Sequence, residues 1–240
     1  MTIAIMQPYL FPYLGYWQLI NAVDTFVLYD NIEFSKKGWF HRNNILINNA
    51  KTLFTIPLKK DSDFLDVNKR FLATDSDKSI KKILSQIENN YKKAPYYKDV
   101  FPLIKGIFFY TEKNLFNYIL NSIQKICAYL EIKTKIIISS EINIDHNLRA
   151  QEKVIAINNE LRADKYINPI GGVDLYFSEV FERQNIELLF LNSSVPKYTQ
   201  FGEEFVSHLS IIDILMFNHK DDIQQMLTMY TLINNRDQNV

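Results

Sequence analysis

Short apolar runs and helical apolar faces alternate along most of the chain. Five runs rich in branched residues predict β-strands at 2–6, 25–29, 134–139, 165–168 and 186–191. Apolar residues at helical spacing lie between several of these runs, which is the pattern of parallel strands joined by right-handed helical crossovers. Continuous apolar runs are typical of strands buried on both faces. We therefore predict an α/β fold with a Rossmann-like, mainly parallel sheet and flanking helices.

Two regions depart from this alternation. Residues 78–131 carry helical apolar patterns with no strand between them, and they predict a helical insertion, a possible subdomain within one domain over residues 1–240. The apolar runs at 45–47 and 53–58, joined by Asn-Asn-Ala-Lys, predict an antiparallel hairpin that extends the sheet. The polar residues 234–240 are expected to be disordered.

The loop after the first predicted strand is rich in groups that recognise ligands. Gln7, Tyr9, Tyr13 and Tyr16 offer an amide and three phenols, and Gly15 allows close approach to the backbone where the next helix begins. Two prolines restrict this loop, so we expect it to be stiff. Because open α/β sheets bind ligands at the carboxyl ends of their strands, we interpret the loop as one wall of a binding site. The alternative is an aromatic loop that only caps the edge of the core.

Residues 31–44 have the highest density of reactive side chains in the sequence, and we call residues 36–42 within them the basic segment. Lys36, Lys37 and Arg42 are suited to hold phosphate or carboxylate groups, arginine through two parallel hydrogen bonds and lysine as a point charge. Trp39 is suited to stack on a ring or a base. The alternative is a solvated basic loop anchored by a buried tryptophan.

Two residues are candidates for a general base. His41 lies within the basic segment, and its imidazole exchanges protons near neutral pH. Asp30 directly follows the second predicted strand and would lie at the same edge of the sheet as the first loop. A surface or structural role is the alternative for His41.

A second candidate wall follows the fourth predicted strand. The turn that begins at Asn168 contains the glycine pair Gly171 and Gly172, and it precedes a segment with helical spacing that includes Tyr176. Adjacent glycines let backbone amides turn toward an anion or a carbonyl oxygen. We therefore predict that this turn faces a ligand.

One carboxylate, Asp213, lies in a strongly apolar run near the end of the chain. In one interpretation it completes a capping box with Ser210 at the start of a helix. In the other it orients Arg42 or an amine of the ligand. The sequence leaves both interpretations open.

Composition limits the possible functions. The 27 basic and 27 acidic residues leave no overall field that would attract nucleic acid or an anionic membrane. No stretch approaches the roughly 20 apolar residues that span a bilayer. The single cysteine, Cys127, falls at the spacing of a helix core, and the N-terminus lacks the pattern of a secretory leader, so we expect a cytoplasmic location. The scattered histidines predict neither a metal site nor a bound cofactor.

Four blocks of sequence, in this order, resemble one known family. They are Met-Gln-Pro-Tyr with Phe-Pro-Tyr-Leu-Gly-Tyr near the N-terminus, Tyr29-Asp30 with Lys37-Gly38-Trp39 and Arg42-Asn43, Tyr166-Ile-Asn-Pro-Ile-Gly-Gly172 with Leu175-Tyr176, and Leu209-Ser-Ile-Ile-Asp213-Ile-Leu-Met-Phe-Asn218. Through these blocks, which span almost the whole chain, the sequence is similar to the WbqC-like family. The resemblance implies a role in the biosynthesis of bacterial O-antigen, lipopolysaccharide and other surface polysaccharides. It also implies transfer of an amino-acyl or acyl group to an amino sugar.

The preferred hypothesis is therefore an enzyme, an N-acyl or aminoacyl transferase. The acceptor would be the amine of a nucleotide-linked amino sugar, and the donor a thioester on a carrier protein or coenzyme A. His41 or Asp30 would act as base, and Gln7 or the glycine-pair amides would polarise the acyl carbonyl. The other predicted substrate-binding residues are Tyr9, Tyr13, Gly15, Tyr16, Lys36, Lys37, Trp39, Arg42, Asn43, Asn168, Gly171, Gly172, Tyr176 and Asp213. The alternative hypothesis is a non-catalytic module that binds sugar or a carrier in the same pathway.

Overall fold

The computed structural model describes residues 1–234 and shows a mixed α/β protein built around a mostly parallel central sheet. The predicted disordered tail lies, from residue 235 onward, outside the described residues. In chain order the strands are β1 (Thr2–Met6), β2 (Thr25–Leu28), β3 (Arg42–Ile47), β4 (Ala50–Thr55), β5 (Lys135–Ile138), β6 (Lys165–Pro169), β7 (Glu187–Ser193) and β8 (Tyr230–Ile233). The helices are α1 (Leu14–Asn21), α2 (Ser76–Tyr91), α3 (Tyr97–Phe108), α4 (Leu115–Tyr129), α5 (Ala150–Glu160), α6 (Ser178–Glu182), α7 (Ile211–Phe217) and α8 (Lys220–Met226).

The central sheet has the strand order β5-β2-β1-β6-β7-β8. The first five strands in this order run parallel, and β8 pairs antiparallel with β7. From β1 the chain first adds strands on one side, β2 and then β5, and afterwards adds β6 and β7 on the other side. The order therefore reverses between β1 and β6. The five strands expected from the apolar runs are all present.

Helices cover both faces of this sheet because side chains of a strand point alternately to its two faces. Ile3 and Ile5 belong to one hydrophobic cluster with Val154 of α5, whereas Ala4 belongs to a second cluster with Trp17 of α1. Helices α5 and α6 thus cover one face, and the remaining helices cover the other. Side chains of α2 to α4 share the second cluster with the sheet, and a separate subdomain at 78–131 stays a prediction.

The predicted hairpin forms, but its expected place in the central sheet is wrong. Strands β3 and β4 pair in antiparallel register from Arg42 with Thr55 to Ile47 with Ala50, and they make a sheet of their own. The outer edge of β2, which the hairpin could have joined, is already occupied by β5. Strand β5 is consequently an edge strand, and its isoleucines are only half-buried rather than buried on both faces.

Within residues 1–234 no helix has the length and apolar character needed to cross a membrane. Cys127 is buried in α4, and burial raises the pKa of its thiol to about 12. It is a core residue, as its helical spacing predicts.

Candidate functional site

A cavity of about 1480 Å³ lies at the carboxyl edge of the central sheet. Each parallel strand contributes to its lining where the strand ends or just beyond: Gln7 after β1, Tyr29 after β2, Ser140 after β5, Ile170 after β6 and Ser193 of β7. The cavity therefore spans the point between β1 and β6 where the strand order reverses. That is the position at which open α/β sheets bind their ligands.

The side-chain amide of Asn43, in β3, holds the loop after β1 in place through hydrogen bonds to its backbone. Its Nδ2 donates to the carbonyl oxygens of Leu10, at 2.9 Å, and Phe11, at 2.7 Å, and its Oδ1 accepts from the backbone N–H of Asn44 at 2.8 Å. Phe11 has a φ of +47°, a conformation that a non-glycine residue adopts only when its surroundings hold it there. Asn43 thus sets the shape of the loop as well as lining the cavity.

Two aromatic side chains of α1 hold the same loop from below. The Tyr16 hydroxyl donates to the carbonyl of Gln7 at 2.9 Å, and the Trp17 indole donates to the carbonyl of Pro12 at 3.0 Å. Tyr16 is buried, so burial raises the pKa of its phenol well above the usual value. Above it, the Tyr9 hydroxyl donates to Oε1 of Gln7 at 3.3 Å. The side-chain NH₂ of Gln7 is left to donate toward the cavity.

Two glycines of the lining are required by close contacts. A Cβ at Gly172 would lie 2.0 Å from Nδ2 of Asn168, a buried side chain whose Oδ1 accepts from the Tyr166 hydroxyl at 3.0 Å. A Cβ at Gly15 would lie 2.5 Å from the ring of Tyr13. The glycine pair predicted to face a ligand lies in a short 3₁₀ helix, Ile170–Leu175, that lines the cavity.

The structure brings many of the predicted site residues together at this cavity and leaves others outside it. The predicted residues that line it are Gln7, Tyr9, Tyr13, Gly15, Trp39, Asn43, Asn168, Gly171, Gly172 and Tyr176. The predicted residues that do not line it are Asp30, Tyr16, Lys36, Lys37, His41, Arg42 and Asp213. The physical reasons differ among these seven.

The cations of the basic segment interact with the protein itself or with solvent. Arg42 donates from Nε to the carbonyl of Gly38 at 3.1 Å and from its terminal nitrogen to the carbonyl of Lys37, and its guanidinium carbon lies 5.7 Å from the centre of the Trp39 ring. Lys36 forms an exposed ion pair of 2.8 Å with Asp63. Of the residues predicted in this segment, Trp39 lines the cavity and the three cations do not, and binding of phosphate by these cations stays a prediction.

Asp30 is a buried structural acceptor rather than a group facing the cavity. Its carboxylate accepts from Nδ2 of Asn68 at 2.7 Å and from the backbone N–H and hydroxyl of Ser140 at 2.9 and 2.7 Å. Asn68 and Ser140 both line the cavity. Asp30 thus joins the ends of β2 and β5 and holds two lining residues in place.

His41, the other predicted base, is turned toward the hairpin. Its Nδ1 lies 2.8 Å from the carbonyl oxygen of Ile56, an acceptor, so this nitrogen carries the proton. Burial lowers the pKa of His41, the hydrogen bond to Ile56 partly offsets this, and the charges of Arg42 and Arg70 lower it further. The hydrogen bond from His41 to Ile56 therefore joins the start of β3 to the end of β4.

Asp213 takes neither of the two roles open from the sequence. Its fully buried carboxylate accepts hydrogen bonds from Tyr91 at 2.8 Å, Tyr198 at 2.6 Å and Gln200 at 2.7 Å. Burial raises the pKa of Asp213, and these three hydrogen bonds offset part of the rise. The carboxylate therefore ties the segment before α7 to α2 without reaching the cavity.

Sequence reasoning missed the lining residues around the start of α5, which we call the α5 start, residues 146–153. Lys153 is only 3% exposed, and its Nζ lies 4.8 Å from the centre of the Tyr29 ring and 3.4 Å from the carbonyl oxygen of His146. Burial lowers the pKa of Lys153, and the charges of Asp66 and Asp30 partly oppose the shift. The available signal was the pair of cations, Arg149 and Lys153, four residues apart at the start of a predicted helix.

His146 of the α5 start is oriented by the end of β2. Its Nδ1 lies 3.0 Å from Nδ2 of Asn31, whose Oδ1 in turn accepts from the Ser139 hydroxyl at 2.8 Å. In this amide orientation Nδ1 of His146 accepts, and its Nε2 carries the proton. Within residues 1–234 no group of three or more histidine, cysteine or acidic side chains could hold a metal ion.

Comparisons with known proteins agree with the four sequence blocks. The family model of the WbqC-like protein family matches residues 7–225. The chain is also 24% identical over 217 residues to the uncharacterized protein Rv1507c of Mycobacterium tuberculosis, a match that covers 89% of this chain and 92% of that relative. No solved structure matches significantly.

Proposed function

Since the chain belongs to the WbqC-like protein family, we propose that it is a transferase that acts on a nucleotide-linked amino sugar in the biosynthesis of bacterial surface polysaccharide. The group transferred is an acyl or amino-acyl group, and its donor is a thioester of coenzyme A or of a carrier protein. The product is an amide on the sugar.

The size and lining of the cavity carry this proposal. Pockets for one small ligand usually measure about 300–1,000 Å³, and this cavity of about 1480 Å³ has room for an acceptor and the reactive arm of a donor together. Ring faces of Tyr9, Tyr13, Trp39 and Tyr176 offer flat surfaces for sugar and base. Gln7 supplies an amide donor at the point where the sheet order reverses.

The strand order supports a nucleotide-linked acceptor. If only the parallel strands are counted, in chain order, the sheet reads third, second, first, fourth, fifth. We propose that the sheet is Rossmann-like, since this is the order in which Rossmann sheets place a nucleotide across the reversal point. The acceptor would then lie above β1 and β6, between the loop after β1 and the 3₁₀ helix that contains Gly171.

The proposed reaction is direct aminolysis of the thioester. The sugar nitrogen attacks the acyl carbon, a C–N bond forms, the C–S bond breaks, and the proton lost from the amine ends on the leaving sulfur. The NH₂ of Gln7, free because Tyr9 occupies its Oε1, donates to the carbonyl oxygen as negative charge develops there. Holding the amine and the thioester together supplies much of the rate.

A non-catalytic binding module is the second candidate function. It is favoured by one observation: both bases expected from the sequence, Asp30 and His41, lie outside the cavity lining and are engaged in hydrogen bonds within the protein. Such a module would use the same cavity to hold a sugar nucleotide for another enzyme.

Mass spectrometry of products distinguishes the two functions. The full chain is incubated with a panel of nucleotide amino sugars and thioester donors, beside Gln7→Ala and the matched surface variant Gln124→Ala, whose side chain is exposed on α4. The transferase predicts an acylated sugar whose formation falls in Gln7→Ala and is unchanged in Gln124→Ala. Binding of a nucleotide sugar with no acylated product from any pair would establish the module instead.

A further inference from the structure

We propose that Arg149 and Lys153 form a diphosphate-binding site at the α5 start. This site lies on the side of the cavity where β2 and β5 end. The site would hold the anionic part of the sugar nucleotide. Only the identity of that ligand rests on the proposed function. The site itself follows from the charges and contacts of the α5 start.

Lys153 is a buried cation that lacks a counter-ion within the described chain. It is 3% exposed, and in residues 1–234 no carboxylate oxygen lies within 4.0 Å of its Nζ. Its one hydrogen bond, 3.4 Å long, goes to the carbonyl oxygen of His146, and the face of Tyr29 lies beside it. Two of its three N–H donors therefore remain for a ligand in the cavity that Lys153 lines.

The two carboxylates whose charges act on this ammonium, Asp66 and Asp30, have other partners. Asp30 accepts three hydrogen bonds from Asn68 and Ser140, and Asp66 pairs with Lys69 at 3.5 Å. Several other lysines of the described chain lie against a carboxylate, for example Lys113 with Asp77 at 2.7 Å. Because a buried charge without a partner is costly, Lys153 is best explained by an anion that enters the cavity.

Arg149 supplies the second cation. It is the N-terminal flanking residue of α5 and lines the cavity one helical turn from Lys153, and none of the hydrogen bonds and ion pairs of residues 1–234 involves its guanidinium. No side chain caps the first N–H groups of α5, which runs for 11 residues. Glu152, the acid in this first turn, is exposed and does not line the cavity.

The spacing favours two linked phosphates over a single one. Two cations one turn apart, with helix N–H groups between them, present donors along a line rather than around a point, and both the helix dipole and the cations favour negative charge. A diphosphate held there would point its nucleoside or its sugar toward the aromatic wall made by Tyr9 and Tyr13. A single carboxylate would leave one of the two cations without a partner.

Calorimetric titration of the full chain with inorganic pyrophosphate, at constant ionic strength, tests the site. Lys153→Met keeps the buried stem and removes the charge, and Arg149→Gln changes an exposed side chain, so at least this second variant retains the fold. Each should weaken pyrophosphate binding roughly 10- to 100-fold, the usual effect of losing a charge-assisted hydrogen bond. The matched control Lys125→Met, an exposed lysine of α4, should bind as the parent chain does.

Three results would overturn the proposal: no binding of pyrophosphate by the parent chain, unchanged binding in both variants, or a loss confined to Lys37→Met in the basic segment. This test and the test of acyl transfer can fail independently. Pyrophosphate binding that depends on Arg149 and Lys153, with no acyl transfer, would support the diphosphate site and contradict the transferase function. Acyl transfer without pyrophosphate binding would support the transferase function and contradict the diphosphate site.

Discussion

The basic segment and the α5 start both carry cations and both contribute to the lining of the cavity, but their cations have different partners. Arg42 directs its donors to backbone carbonyls of its own segment, and Lys36 pairs with Asp63 on the surface. Arg149 and Lys153 line the cavity and have no ion pair among residues 1–234. A high density of charged residues in the sequence therefore does not by itself place cations at the cavity, because Arg42 and Lys36 find partners within the protein.

The largest expected effect on stability comes from Asp30, whose buried carboxylate joins the ends of β2 and β5. Asp30→Asn replaces a charged acceptor of three hydrogen bonds with a neutral amide that has a single acceptor oxygen, so we expect a loss of about 3 kcal/mol in the free energy of unfolding. Chemical denaturation measures it. Asp63→Asn, an exposed partner of Lys36, should cost less than about 1 kcal/mol. Full stability with loss of transfer alone would instead identify Asp30 as the base.

A somewhat smaller loss is expected where the hairpin meets the loop after β1. Asn43→Ala removes two donors to buried carbonyls of Leu10 and Phe11, and we expect it to cost about 2–3 kcal/mol. Because the loop carries Gln7, ligand binding should fall with stability, as titration with the nucleotide sugar would show. Asn117→Ala, at an exposed position of α4, is the matched control and should be neutral. A stable Asn43→Ala protein would mean that the prolines and the hydrogen bonds from Tyr16 and Trp17 shape the loop without Asn43.

Substitution of Arg42 distinguishes the role of the basic segment from that of the α5 start. Arg42→Ala removes hydrogen bonds to two carbonyls and the contact with the Trp39 ring, and we expect it to cost about 1 kcal/mol in unfolding free energy. Its affinity for pyrophosphate should stay that of the parent chain. Arg149→Gln should show the reverse pattern, with little change in stability and weaker binding. Equal effects on binding from both arginines would remove the distinction between the regions.

The smallest effect concerns protonation of His41. The folded chain has a His41 pKa below its ordinary value of 6.5, so the unfolded chain binds more protons between these two pKa values. The unfolding free energy should fall as pH drops below 6.5 and level off beneath the folded pKa. The slope is at most about 1.4 kcal/mol per pH unit. Denaturation of the parent chain and His41→Gln, from about pH 5 to about pH 8, should show this slope only in the parent. An identical slope in both would place the titrating group elsewhere.

The sequence predicts the sheet well because its buried strands are short apolar runs rich in branched residues, separated by helical patterns and turn residues. It predicts less well which strands are neighbours. Residues Ile136 to Ile138 read as a strand buried on both faces, yet β5 lies at the edge, since exposure depends on the strand order rather than on the run itself. The hairpin was misplaced for a related reason: its own pattern contains no information on where β5 pairs.

The residues of the cavity lining also differ in how well the sequence predicts them. Gln7, Tyr9 and Gly172 were predicted correctly to lie at the strand edge because they directly follow strands that the sequence reveals. Lys153 was missed because a lysine within a helix looks solvated until the fold buries it. The sequence did not predict the partners of Arg42 and Asp213, because backbone carbonyls and distant tyrosines become their neighbours only in three dimensions.

The placement of the two tryptophans equips the chain with an optical signal. Trp17 is completely buried and hydrogen-bonded to Pro12, whereas Trp39 is 39% exposed at the cavity. Emission from Trp17 should be blue-shifted and insensitive to a soluble quencher, and emission from Trp39 should be red-shifted and quenched. A ligand that enters the cavity covers one fluorophore and leaves the other as an internal reference. Occupancy of the cavity is therefore readable as a ratio of two intrinsic emissions, without any label on the protein.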